Sequence, residues 1–175
     1  RVAKSLYRLA HEMEKPDAKR KQGYQERDMN RYKQGMKTVN RRYDADIDKS
    51  ILNHFMAEYA QFPATQRHPA FDKFFGLDKG YNAKAIAKKL DTMHANTRLD
   101  EETVRLEWMG KSVADFKSSN DPYIQYAVAM YDVDMKMEKE EEELAGKLQQ
   151  ARPAYMNAMI AFKQSKGEAV YADAN

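Results

Sequence analysis

The stretch "NDPYIQYAVAMYDVDMKMEKEEEELAGKLQQARPAYMNAMIAFKQSKG", Asn120 to Gly167, constrains this chain more than any other. Asp121 stands where a helix cap belongs, Pro122 at the first helical position, and Gly167 at the far end, which together frame one long helix. Ile124, Val128, Tyr131 and Met135 share one stripe, and Leu144, Leu148, Tyr155, Met159 and Phe162 resume it after a charged interruption. Unbroken, such a helix spans roughly 65 Å, more than a compact domain of this size needs, and suits a lid or arm. Pro153 lies inside the frame and is expected to kink the helix or divide it in two.

A chain containing that helix is expected to be helical elsewhere too. Only seven Gly and five Pro interrupt 175 residues, 33% of them charged, with a mean hydropathy of -0.90. Val2, Leu6, Leu9 and Met13 mark the face of a first helix, and Met29, Tyr32, Met36 and Val39 that of a second, from about Gln25 to Arg42. A third is expected to be capped by Asp46 and to bury Ile47, Ile51, Leu52, Phe55, Met56 and Tyr59. A short helix ends at Gly76, the next turns Ile86, Leu90 and Met93 inward, Asp100 caps "EETVRLEWM", and "KSVADFKSS" adds a turn or two. The fold class is therefore all-α, an irregular bundle of about six to eight helices with a long C-terminal helix and a short extended tail.

Composition excludes several chemistries. With no Cys there is neither a disulfide nor a thiolate metal site, and a net charge of +3 gives no overall field for nucleic acid or acidic lipid. No run of about 18 apolar residues is present, so no membrane span is expected. Arg1 in place of Met suggests a piece of a longer chain.

The motifs fail in instructive ways. Asp44, Asp46 and Asp48 open like a calcium loop, but Lys49 takes the place of the turning Gly and Phe55 that of the bidentate Glu. "RLEWMGKS" ends like a phosphate loop, yet Arg105 replaces its first Gly, so Gly110 is read as a helix end and Trp108 as a packing residue. Four residues after His11 comes Lys15, so the zinc-protease pair on one helical face is missing, and His54, His68 and His94 are scattered. No nucleophile elbow is present. Neither catalytic, cofactor-binding nor metal residues are assigned, and no cofactor is expected.

Two charge runs remain. Lys19 to Arg42 carries nine basic and two acidic residues interleaved with Tyr24 and Tyr32, which could track a phosphate backbone but reads first as a solvated helix face. "DVDMKMEKEEEE" reads as exposed helix or as a dock for a basic surface.

The order of landmarks carries more information. "LYRLAHEMEKPDAKRKQGYQERDM", "HPAF", "TRLDEETVR", "SSNDPYIQYAVAMYD" and "ARPAYMNAMIAFKQSKGEAVYADAN" resemble, over essentially the whole chain, part of the bacterial dipeptidyl-peptidase 7 and dipeptidyl-peptidase 11 family. The resemblance implies exported serine exopeptidases, periplasmic or secreted, with a chymotrypsin-like double barrel into which a helical domain is inserted. Residues 1–167 would be the later portion of that insert, a cap over the active site, and 168–175 the return into the barrel, with Ala172 where the family usually has Pro. The family's catalytic His and Asp lie upstream of the insert and its Ser downstream, so the isolated chain is expected to be inactive. The implied partners are the catalytic barrel of the same chain, peptide substrates and a second copy in a homodimer, without nucleic acid. A free-standing helical interaction module is the alternative, with nucleic-acid binding through Lys19 to Arg42 behind it.

Overall fold

The computed structural model describes residues 1–41 and 43–169, and every described element is helical. The expected extended tail falls largely on 170–175, outside the described residues. Eight α-helices follow in order among the described residues: α1 Val2–Met13, α2 Met29–Thr38, α3 Ala45–Ala60, α4 Pro69–Phe75, α5 Ala83–Asn96, α6 Glu102–Trp108, α7 Val113–Lys117 and α8 Pro122–Ser165. The chain divides into two compact units, Arg1–Val133 and the residues from Asp134 onward.

The first unit holds two apolar cores. One gathers Leu6, Tyr7, Ala10, Met36, Val104, Phe116 and Ile124 from α1, α2, α6, α7 and the start of α8. Phe116, fully buried, meets Tyr7 at 5.2 Å and Trp108 at 4.6 Å, so the single Trp packs as its residue type suggested. The other core gathers Met56, Phe75, Ile86, Leu90 and Met93 from α3, α4 and α5 and Leu77 from the 3₁₀ turn after α4, with Tyr123 and Tyr126 of α8 against it. Tyr123 packs on both.

Helix boundaries follow local chemistry. Gly76 at φ 74° ends α4 in the left-handed region, where a side chain would be strained. Ser112 and Asp115 form a reciprocal capping box on α7. Asp121 caps α8 as expected: one carboxylate oxygen accepts from the amides of Tyr123 (2.9 Å) and Ile124 (3.2 Å). The other accepts from the Thr97 hydroxyl (2.8 Å) and the Arg98 amide (3.1 Å), which fastens the end of α5 to the start of α8. Asp121→Ala is expected to lower stability by about 1–2 kcal/mol, read as a shift in urea midpoint; an unchanged midpoint would deny it this double role.

Several expectations require correction. The cap of α3 is Asp44, which accepts from the amides of Asp46 and Ile47 at 3.0 Å each, because the helix begins two residues earlier than expected. Glu101, not Asp100, occupies the cap position of α6, without a side-chain cap bond. The second helix is broken into a 3₁₀ turn at Glu26–Asp28, α2, and a second turn at Val39–Arg41; Arg42 lies outside the described residues. Ile47, Ile51 and Phe55 are 60%, 49% and 62% exposed rather than buried, since the apolar core takes Leu52, Met56 and Tyr59 from α3. Met13 is exposed, and its neighbour Glu12 is buried.

Helix α8 runs through Pro153 without division. Pro153 lacks the N–H that would bond the Gln149 carbonyl, but both residues are exposed and water can take that carbonyl instead. Its second half forms the other unit, where Leu144, Leu148, Tyr155 and Phe162 are all more than half exposed. No helix of the described residues is long and apolar enough to cross a membrane.

Candidate functional site

The residues with chemical potential are distributed among three polar centres and one apolar groove, all in the first unit. The three carboxylates that open like a calcium loop diverge. Asp44 caps α3, Asp46 pairs with Lys49 at 3.1 Å, and Asp48 reaches His94 at 3.2 Å. Lys49 also bridges to Asp91 at 3.2 Å, a second tie between α3 and α5.

His94 comes nearest to catalytic chemistry. Its Nε2 faces the Asp48 carboxylate, while Nδ1 lies 2.9 Å from both the Leu90 carbonyl and the Tyr123 hydroxyl. A carboxylate, an imidazole and a hydroxyl in sequence imitate a charge-relay triad, but the hydroxyl is a poor nucleophile. Burial pushes the Tyr123 phenol up, and the charges of Asp48, Tyr43 and Asp121 push it further, so it stays protonated at neutral pH. The constellation joins α3, α5 and α8 and so fixes the second core.

Beside it lies an apolar groove of about 560 Å³, lined by Leu52, Phe55, Tyr59, Phe62, Phe71 and Tyr126 among others. Between α4 and α5 Lys89 donates to the Phe74 carbonyl with its ammonium 4.4 Å from the Phe74 ring, and burial lowers its pKa.

Glu12 is the second centre. Fully buried, its carboxylate takes Arg8 at 2.9 Å, Lys15 at 2.8 Å and the Lys21 amide at 3.0 Å. Burial pushes the carboxyl up, but the bonds from Lys15 and Lys21 and the charge of Arg8 outweigh it and hold it below the usual range. Glu12 thereby pins the loop after α1 to the helix. Its neighbour His11 stacks on Tyr131 at 4.1 Å, edge-on to Tyr7 at 4.7 Å, and burial lowers its pKa.

Arg105 is the third. The guanidinium, fully buried, donates to the carbonyls of Met36 and Leu99 at 2.8 Å each and to the Asn40 side chain. One side chain of α6 thus holds the last turn of α2 and the segment before α6 together. Sequence reasoning saw Arg105 only as a failed Gly and Glu12 only as the neighbour of His11. Glu12 had a legible signal, cations at i−4 and i+3; Arg105 had none, because two of its three acceptors are 69 and 65 residues away and the third is a backbone carbonyl.

Part of the basic run is held locally. Arg20 pairs with Asp17 and bonds the Lys15 carbonyl, the Lys21 amide serves Glu12, and the Tyr32 hydroxyl meets Ser5 at 2.8 Å. Tyr24 and Tyr32 lie 5.9 Å apart, both half-buried, so they form no open stacking platform for bases. His54 is exposed, and the His68 amide donates to the Tyr59 hydroxyl at 2.7 Å.

Among the described residues each centre ties elements together: His94 joins α3, α5 and α8, Glu12 holds the loop after α1, and Arg105 holds α2 to the loop before α6. The profile of the peptidase S46 family matches residues 1–175. An Asp/Glu-specific dipeptidyl-peptidase of Shewanella putrefaciens (strain CN-32 / ATCC BAA-453) is 39% identical over 174 residues, which is 99% of this chain but only 23% of that protein. The chain thus spans about a quarter of the length of the curated relative it matches. Helical throughout its described elements and matched from end to end, the chain belongs to the peptidase S46 family.

Proposed function

We propose that residues 1–167 are a helical cap within an exported serine dipeptidyl-peptidase, restricting its active site to the ends of peptides. The observation that carries this reading is the end-to-end match to a peptidase family by a chain whose described elements are all helical and which spans 23% of its relative. A helical segment of a serine peptidase that does not supply the acyl-transfer groups has access and positioning as its remaining roles. The nucleophilic Ser, its His base and the orienting Asp belong, on this reading, to a barrel flanking these residues, and the chain from Glu168 onward returns toward it. The protein acts in the periplasm or at the cell surface, where free peptides are its substrates.

The test is dipeptide release by the full-length protein, assayed on chromogenic substrates with acidic and with apolar second residues. Activity on at least one, with the relative's acidic preference as the first arm, supports the reading. A full-length protein that releases no dipeptide from either class overturns it.

A further inference from the structure

The second half of α8 carries a feature that the cap role alone does not require. Met137, Leu144, Ala151 and Ala158 recur every seven residues, and Leu148, Tyr155 and Phe162 form a second series of sevens offset from the first by four and three. Two interleaved sevens make a seam of period 3.5, which stays turned toward a neighbouring helix instead of drifting around the axis. The seam is bare: Leu144, Leu148, Tyr155 and Phe162 are 67%, 57%, 64% and 54% exposed.

The chemistry of the partner can be read from the seam. A repeat of 3.5 is answered by another helix, not by a sheet edge or a small molecule. Ala151 and Ala158 leave room for large side chains opposite them, while Leu144, Tyr155 and Phe162 call for smaller ones. Charge is graded along the same helix. Residues 138–143 hold five Glu and one Lys, whereas Lys147, Arg152, Lys163 and Lys166 follow with no carboxylate among residues 147–166. A covering helix is therefore basic along its flanks beside 138–143 and acidic beside 163–166.

Parallel self-pairing lays the Glu run on itself, whereas an antiparallel second copy sets that run toward the basic end and is the competing occupant. The rest of the polypeptide is the favoured one, since this chain spans only 23% of its relative and a helix of the same polypeptide meets the seam at a higher effective concentration than a second copy. We infer that the seam from Met137 to Phe162 is covered by an amphipathic helix of the same polypeptide, from the portion of the helical insert preceding Arg1. This rests on the reading of the chain as the later part of an inserted domain.

The chain has no Cys, so single cysteines report cleanly. Leu148→Cys and Tyr155→Cys in the full-length protein are expected to react with a maleimide about tenfold more slowly than the outward-facing Gln150→Cys, whereas in the 175-residue chain all three react alike. A benzophenone maleimide on Leu148→Cys is expected to label peptides preceding Arg1 within one chain. Seam cysteines as reactive as Gln150→Cys in the full-length protein would overturn the inference. Label found on a second copy, or only on peptides following Asn175, would overturn it as well. Peptidase activity is measured on the same samples: its absence counts against the function, and the labelling pattern alone decides the seam.

Discussion

Replacing Arg105 with Met is expected to cost this fold about 3–5 kcal/mol, a large share of the roughly 5–15 kcal/mol that holds a domain together. Methionine fills much the same space without a donor. The carbonyls of Met36 and Leu99 and the side-chain oxygen of Asn40 would then lose their shared partner, and an unsatisfied buried acceptor costs about 1–3 kcal/mol. Arg105→Lys is expected to recover only part of the loss, because a single ammonium cannot reproduce the fork of the guanidinium. Urea unfolding of the 175-residue chain measures both. A midpoint for Arg105→Met close to that of the parent would show that the three acceptors find water and that α2 and α6 are held by packing alone.

Glu12→Gln is the second large effect, about 3 kcal/mol at neutral pH, because it leaves Arg8 and Lys15 gathered around a neutral amide in a buried site. Its pH dependence has a definite sign. The folded carboxyl titrates below its ordinary value of 4.5, so the unfolded chain takes up the proton first as acid is added. The stability contributed by Glu12 is thus complete above that ordinary value and is lost as pH falls through the folded value. The gap between parent and Glu12→Gln is expected to be widest at neutral pH and to narrow at about pH 3. A gap independent of pH would place the effect of Glu12 in packing rather than in its charge.

These two residues show what the sequence made legible and what it did not. Capped, periodic segments gave helices close to their observed bounds: Asn82 to Asn96 turns Ile86, Leu90 and Met93 into the second core, and Asp121 caps α8 as its position before Pro122 implies. Periodicity failed to distinguish a face buried here from a face awaiting cover. Ile47, Ile51 and Phe55 form as good a stripe as Leu52, Met56 and Tyr59, but only the second set packs into the core. The same holds for Leu144, Leu148, Tyr155 and Phe162, which recur along α8 and are exposed among the described residues. The His94 centre was hidden for another reason, since Asp48, His94 and Tyr123 come from three helices separated by 46 and 29 residues. The family, by contrast, was readable because the order of landmarks survives over the whole chain.

The central claim is that this helical chain belongs to an enzyme that accepts only peptide ends, and one comparison tests it most directly. Peptide with a free amino terminus and the same peptide acetylated are incubated with the full-length protein and with the 175-residue chain, and released dipeptides are identified by mass. The account predicts dipeptides only from the free peptide and only with the full-length protein. Dipeptide release by the 175-residue chain, or equal release from the acetylated peptide, would contradict it.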